Sequence, residues 1–136
     1  AVRDGLLDEI PAILDAPPGT SCPVVATLRE SDYLLLVTDP TPFGLHDLKL
    51  AVALARELNL ACGVVVNRAG EDLVGLYGYC RSENLPVLLS LPDDRQIAEI
   101  TSRGDLVARV LPEYGLMFAE LAEKLKQELG TTGGTP

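Results

Sequence analysis

The chain has 136 residues, of which 47% are hydrophobic but only 4% aromatic, so its length suits one domain with an aliphatic core. With 20 acidic and 11 basic residues, the net charge of −9 argues against nucleic acid or an anionic membrane as the main partner. No apolar run approaches the roughly 18–20 residues of a membrane span, and no signal-peptide pattern opens the chain, so we expect a cytoplasmic protein. The three cysteines are widely spaced, which fits a reducing compartment and gives no metal-binding CxxC pair.

The first predicted element is a short apolar run at 10–15 that ends in Asp15 and breaks into Pro17-Pro18-Gly19. Apolar runs bounded by turn residues suit a buried strand, and Gly19 can adopt backbone angles closed to other residues. This pattern predicts a carboxylate at the carboxyl end of a strand, before a loop of backbone N–H groups, where open parallel sheets bind ligands. On the pattern alone, a helix-capping or loop role for Asp15 is equally open.

Alternating strands and helices follow along the rest of the chain. We predict strands at 32–38, 61–67 and 86–91, and helices at about 21–31, 45–59 and 73–80, from Asp94 to Gly104, and from Pro112 to Gly130, with a short extension at 106–111. The order predicts an α/β fold with a mostly parallel sheet and helices on both faces. Residues 1–130 then form a single domain, and residues 131–136 form a flexible tail.

Two segments resemble a known family of ATPases. The run Asp15-Ala-Pro-Pro-Gly19 resembles the second phosphate-sensing motif of the MinD/ParA-type P-loop ATPases, and Asp39-Pro-Thr-Pro-Phe-Gly-Leu-His-Asp-Leu-Lys49 is similar to the branch that carries an inserted ferredoxin domain. Segments 64–68 and 91–97 fall where that family places its base-contacting residues. The resemblance covers about residues 5–128 and implies a P-loop NTPase-like fold that is incomplete in this chain.

The resemblance implies roles for individual residues. Asp15 would hold Mg²⁺ through a water, and the Gly19 N–H would face the γ-phosphate of ATP in a loop that moves on hydrolysis. Asn67 would hydrogen-bond the adenine edge, although Asn is also common as a strand-end turn residue. Pro92 and Asp93 would line the base and ribose.

Two further candidates are less specific. Arg68 follows Asn67 and would lie near the nucleotide, although loop cations are usually solvated. Asp47 is predicted in the first turn of its helix, where a negative charge suits the helix dipole, and would act catalytically across a nucleotide-sandwiched dimer. A 4Fe–4S cluster is implied only by the ferredoxin-bearing branch, and this chain offers no cluster ligands.

The phosphate-cradling loop of these ATPases, GxxxxGK[ST] or the family's variant, occurs nowhere in the sequence. In the family that loop and its strand precede the segment seen here, so the chain resembles the carboxyl-terminal half of such an ATPase. Without the lysine and the N–H cradle we expect feeble nucleotide binding and no useful hydrolysis by this chain alone. The missing strand would lie beside 34–37, so we also expect an open sheet edge and self-association as a homodimer or oligomer.

Two other functions fit the sequence. The first is an interaction module that keeps the fold without the chemistry and docks to a protein partner or to itself. The second is a receiver-type phosphoacceptor domain, which Asp15 before Pro-Gly and the strand-end Thr38 mimic. Receivers, however, need an acidic pair on an earlier strand and a lysine where Asn67 stands.

Overall fold

The computed structural model describes residues 11–132 and is built around a three-stranded parallel sheet. The sheet has the order β1–β2–β3, with β1 at Leu34–Thr38, β2 at Cys62–Ala69 and β3 at Val87–Pro92. The helices are α1 (Cys22–Arg29), α2 (Pro42–Glu57), α3 (Val74–Ser82), α4 (Arg95–Ser102), α5 (Val107–Val110) and α6 (Pro112–Thr132). The prediction of an α/β fold with a parallel sheet is therefore confirmed.

One face of the sheet carries the main hydrophobic core. Val64 and Val66 of β2 point to the same side, because side chains alternate along a strand, and both are fully buried. Burying a side chain of this size stabilises the fold by roughly 1.5–3 kcal/mol. They belong to one cluster with buried side chains from two helices, Leu48 and Val52 of α2 and Leu76 and Cys80 of α3.

The opposite face of the sheet is covered unevenly. Val65 of β2 is buried there, whereas Val37, its in-register neighbour in β1, exposes 65% of its surface. Leu35 alternates to the same face and exposes 37%. The sheet is therefore better covered at its centre than along β1.

Helix α6 packs against β3 and binds its backbone. The register between β2 and β3 shifts between Val64 and Val65, so that Leu88 has no Cα partner in β2. The carbonyl of Leu88 instead accepts a 2.9 Å hydrogen bond from Nζ of Lys124. A lysine from the helix thus satisfies the backbone group at the irregularity.

The predicted strand that ends at Asp15 is wrong for residues 11–15, which form no regular secondary structure; residue 10 lies outside the described residues. Ile13 exposes 93% of its surface, so the apolar run is not buried among the described residues. A strand needs a hydrogen-bonding neighbour, and the sheet of residues 11–132 consists of the three later strands. The predicted freedom of Gly19 is confirmed, since its φ is +111°.

Two helix boundaries also differ from the prediction. α2 begins at Pro42, because Oγ1 of Thr41 accepts a 2.9 Å hydrogen bond from the Gly44 N–H and caps the helix one turn earlier than expected. Asp47 therefore lies beyond the first turn, which contains no acidic residue, and the predicted dipole contact is wrong. α6 continues past Gly130 to Thr132, so the predicted tail is wrong for residues 131 and 132, which are helical. The remaining tail residues, 133–136, lie outside the described part of the chain.

Candidate functional site

The carboxyl end of β2 is a bulge. Pairing with β3 runs from Val66–Ser90 to Ala69–Pro92, so β2 has one residue more than β3 over this interval. Arg68 absorbs the extra length with a φ of +54°, a left-handed conformation that costs a residue with a Cβ roughly 1–2 kcal/mol. Bulges of this kind often re-aim side chains beside functional sites.

The side chain of Asn67 stabilises this bulge. Its Oδ1 accepts a 3.1 Å hydrogen bond from the backbone N–H of Arg68. Because the oxygen is engaged in this way, the Nδ2 amide group is the donor that the exposed Asn67 side chain has available.

The carboxyl end of β3 contacts the same bulge through a hydrogen bond and an ion pair. The backbone N–H of Asp93 donates to the carbonyl of Ala69 at 3.2 Å. Nε of Arg68 lies 3.7 Å from Oδ1 of Asp93, but both side chains are mostly exposed, so this ion pair contributes little stability. The two strand ends therefore form one continuous surface.

A cleft of about 200 Å³ lies between these strand ends and the start of α4. Four of the seven candidate residues line it together: Asn67, Arg68, Pro92 and Asp93. Asp94, Ile97 and Ala98 complete the lining from the α4 side. Pockets that enclose a whole drug-sized ligand have roughly 300–1,000 Å³, so this cleft is too small to enclose a ligand of that size.

Asp94 and Tyr114 were not among the predicted site residues. Oδ1 of Asp94 accepts from the Gln96 N–H at 2.8 Å and caps α4, while Oδ2 accepts from the Tyr114 hydroxyl at 2.8 Å. Burial, with the hydrogen bond to Asp94 and the charges of Asp94 and Glu113, raises the pKa of Tyr114 to about 12. Both oxygens of Asp94 are thus engaged within the chain, whereas Asp93 lines the cleft with a mostly exposed carboxylate.

The signals for these two residues differ. An aspartate just before a helix-forming run is a recognised signal for the start of a helix, so the sequence could have identified Asp94 as the cap of α4. Tyr114 lies 20 residues further along the chain, and no local pattern links it to the cleft.

The segment from Thr38 to Gly44 is a tightly packed turn. Oγ1 of Thr38 donates to the Gly44 carbonyl at 3.0 Å, and the Asp39 carboxylate accepts from the backbone and hydroxyl of Thr41. A Cβ on Gly44 would come within 2.4 Å of the Asp39 carbonyl oxygen, so this position requires glycine. Beside the turn lies a second cleft, of about 230 Å³, lined by Pro40, Thr41, Pro42, Leu45, Asp72, Gly75 and Leu76.

The remaining candidates are not joined to the first cleft. Asp15, Gly19 and Asp47 are exposed and line neither cleft. Their proposed contacts with Mg²⁺, with the γ-phosphate and across a dimer stay predictions.

Residues 11–132 lack the clustered side chains of a metal site. That region contains no group of three or more His, Cys, Asp or Glu side chains placed to hold a metal ion. Cys22 is exposed, whereas burial raises the pKa of the Cys62 and Cys80 thiols and so disfavours their thiolates. A 4Fe–4S cluster takes four thiolate ligands, so these cysteines do not fit one. Within the same region, no helix has the length and apolar character to cross a membrane.

Three known proteins are similar to this chain. The uncharacterized protein MJ0579 of Methanocaldococcus jannaschii is 35% identical over 94 residues, which are 68% of this chain and 31% of that protein. The uncharacterized protein MJ0578 of the same organism is 25% identical over 117 residues, 85% of this chain and 39% of that protein. The iron–sulfur cluster carrier protein of Aquifex aeolicus is 29% identical over 133 residues, covering 85% of this chain and 36% of that protein.

The chain is a distant homologue of that carrier protein. It spans roughly a third of the length of these relatives. No protein-family model matches the chain, and no solved structure matches it.

Proposed function

We propose that this chain is the carboxyl-terminal part of a MinD/ParA-type nucleotide-binding domain, and that the cleft at Asn67 and Asp93 takes the adenine base of ATP. The observation that carries the proposal is the convergence of Asn67, Arg68, Pro92 and Asp93 on one cleft. The cleft lies at the carboxyl ends of parallel strands, where α/β folds bind their ligands. The distant homology to the iron–sulfur cluster carrier protein gives further support.

The cleft offers the groups that a purine needs. The Nδ2 group of Asn67 donates to a ring nitrogen, and the Asp93 carboxylate accepts from the exocyclic amine or from a ribose hydroxyl. Pro92, Ile97 and Ala98 supply apolar contacts for the ring faces. The small volume suits the base and leaves the phosphates outside the cleft.

The phosphates would be held mainly by residues beyond this chain. Gly19 and Asp15 are proposed to sense the γ-phosphate and Mg²⁺, but the lysine-bearing glycine-rich loop is absent from the sequence. The relatives are about three times as long as the matched part, which leaves room for such a loop elsewhere in a longer polypeptide. In this proposal the chain contributes base binding and does not hydrolyse ATP unaided.

An iron–sulfur link is proposed only for the longer polypeptide. It is supported by the resemblance and by the name of the distant homologue. Since the described cysteines do not fit a cluster, the cluster would be held by other residues.

An NMR titration of the ¹⁵N-labelled chain with adenosine, AMP and Mg·ATP tests base binding. We expect weak, roughly millimolar affinity and amide shifts centred on Arg68, Asp93 and Ile97. Asp93→Ala is expected to weaken binding about fivefold or more, whereas Asp72→Ala in the second cleft makes the same charge change and leaves binding unaltered. Equal effects of the two variants would contradict the proposed site.

A second experiment distinguishes this proposal from the alternative that the chain is a docking module. Calorimetry with Mg·ATP is repeated on the polypeptide extended by the residues that its gene encodes upstream. The proposal predicts that affinity rises at least about 100-fold once a phosphate loop is present. The absence of nucleotide binding in both forms would favour the docking module, for which exposed Phe43 and Val37 are available contacts.

A further inference from the structure

The two walls of the first cleft are held in place by different parts of the fold. One wall consists of the carboxyl ends of β2 and β3, which the 3.2 Å hydrogen bond from the Asp93 N–H to the Ala69 carbonyl joins. The other wall, formed by Asp94, Ile97 and Ala98, belongs to the start of α4. The position of α4 relative to the sheet therefore sets the width of the cleft.

The cleft-lining end of α4 has little buried surface of its own. Among the described residues Arg95–Ser102 of this helix, Ile100 is the one buried side chain, and it lies in the last turn. In the first turn Arg95 and Gln96 are exposed, and Ile97 is only partly buried. Burial therefore anchors the far end of α4 and leaves its first turn to be held by other contacts.

Asp94 supplies that contact by joining the first turn of α4 to α6. Its Oδ1 accepts from the Gln96 N–H, and its Oδ2 accepts from the Tyr114 hydroxyl, both at 2.8 Å. Hydrogen bonds to a carboxylate are roughly twice as strong as those between neutral groups. The carboxylate is thus a bridge between the two helices.

Tyr114 is a rigid anchor for this bridge. Its side chain is only 4% exposed. The next residue, Gly115, packs so closely against α5 that a Cβ there would lie 2.9 Å from the Ala108 carbonyl oxygen. The phenol is therefore fixed by the packing around it, and it can fix Asp94 in turn.

We propose that Tyr114 is a positioning residue for base binding, which acts through Asp94 to hold the first turn of α4 at the distance from the strand ends that a base requires. This inference rests on the proposed function and extends it to a residue that does not line the cleft. Binding sites depend on such supporting contacts, because a wall that is loosely held spends part of its time in positions that do not fit the ligand.

The loss of the Tyr114 hydroxyl would lower affinity through the position of α4. Asp94 would keep its hydrogen bond to Gln96, but α4 would lose its link to α6. The apparent affinity of a ligand falls in proportion to the population of the binding-competent conformation. A first turn that occupies its present position for about one fifth of the time would bind adenosine about fivefold more weakly.

An NMR titration of the full ¹⁵N-labelled chain with adenosine tests the proposal. Adenosine is uncharged, so its affinities for variants of different charge can be compared directly. Tyr114→Phe is expected to raise the dissociation constant about fivefold. Tyr33→Phe is the matched control, because the buried Tyr33 hydroxyl has no hydrogen-bond partner among residues 11–132, and it should leave the dissociation constant unchanged. Thr41→Ala, which removes the cap of α2 outside this cleft, should lower stability and also leave the dissociation constant unchanged.

A double-mutant cycle shows whether Tyr114 acts through Asp94. Asp94→Ala should weaken adenosine binding, and adding Tyr114→Phe to it should cause no further loss, since the bridge is already broken. The same additional loss in both backgrounds would overturn the proposal. An unchanged affinity of folded Tyr114→Phe would also overturn it, because the hydroxyl would then serve stability alone.

The wild type provides a readout that does not depend on the folding of a variant. Adenosine should shift the amides of Tyr114 and Gly115, although neither residue lines the cleft. Shifts confined to the cleft residues would contradict the link between α4 and α6 while leaving the proposed function intact. The absence of any adenosine binding by the wild type would instead refute the proposed function, and this inference with it.

Discussion

The hydroxyl of Tyr114 donates a 2.8 Å hydrogen bond to Oδ2 of Asp94 and so links α6 to the wall of the candidate cleft. Tyr114 is only 4% exposed, whereas Asp94 is half-buried where β3 leads into α4. A buried phenol therefore orients the residue that caps α4 and lines the cleft. The geometry of the site depends in part on a helix that contributes none of its lining.

Tyr114→Phe is expected to destabilise the fold by about 1–3 kcal/mol, because the Asp94 carboxylate loses a buried donor. Urea unfolding at pH 8 measures the change. Tyr77→Phe is the control, since it removes a hydroxyl that has no hydrogen-bond partner among residues 11–132. A loss for Tyr77→Phe equal to that for Tyr114→Phe would show that the bond to Asp94 contributes nothing.

The contribution of Tyr114 is expected to disappear in alkali. Its pKa is raised from 10 to about 12 in the fold, so the associated stabilisation is complete below pH 10 and is lost as the pH rises through 12. The difference in unfolding free energy between the wild type and Tyr114→Phe should therefore shrink between pH 10 and pH 12. Tyr33, whose pKa is also raised to about 12, is present in both proteins and cancels from the comparison. A difference that stays constant over this range would contradict the assignment.

Thr41→Ala is expected to cost about 0.5–2 kcal/mol, because the Gly44 N–H loses its capping acceptor at the start of α2 and the Asp39 carboxylate loses a hydroxyl donor. Ser21→Ala is a matched control at the N-cap of α1, where the side chain makes no capping hydrogen bond. Chemical denaturation of both variants gives the comparison. Equal losses would mean that the observed cap hydrogen bond has no energetic weight.

Gly44→Ala is expected to destabilise the fold by roughly 1–3 kcal/mol, since the new methyl group would lie 2.4 Å from the Asp39 carbonyl oxygen. Gly78→Ala in α3 meets no atom within 4 Å and should instead stabilise its helix by up to about 1 kcal/mol. Thermal unfolding followed by circular dichroism distinguishes the two signs. A tolerated Gly44→Ala would show that the 39–44 turn is not closely packed.

Local pattern was sufficient for most of the fold. The runs that became β1, β2 and β3 are apolar and bounded by turn residues, and each lies beside another such run that it can pair with. The run before Asp15 has the same local character but no neighbour within the described sheet. Strand formation depends on partner strands that are distant in sequence. A local sequence pattern does not show whether such a partner is present.

Part of the candidate cleft could likewise be predicted from the pattern of strands in the sequence. Asn67 and Asp93 each follow a strand, and neighbouring parallel strands end at one edge, so their proximity follows from topology. The left-handed conformation of Arg68 depends on the register shift between β2 and β3, which is seen only in the structure. The earlier start of α2 was signalled by Thr41 before Pro42, a capping residue followed by a first-turn proline.

The most direct test of the account compares adenosine with Mg·ATP on this chain by NMR, with Asn67→Ala alongside. If the cleft binds the base and the phosphate grip lies elsewhere, the two ligands should have dissociation constants within about threefold of each other. Both should shift the amides of Arg68 and Asp93, and Asn67→Ala should weaken both alike. A Mg·ATP affinity more than about 100-fold above that of adenosine, or shifts that leave the Asn67–Asp93 cleft untouched, would contradict it.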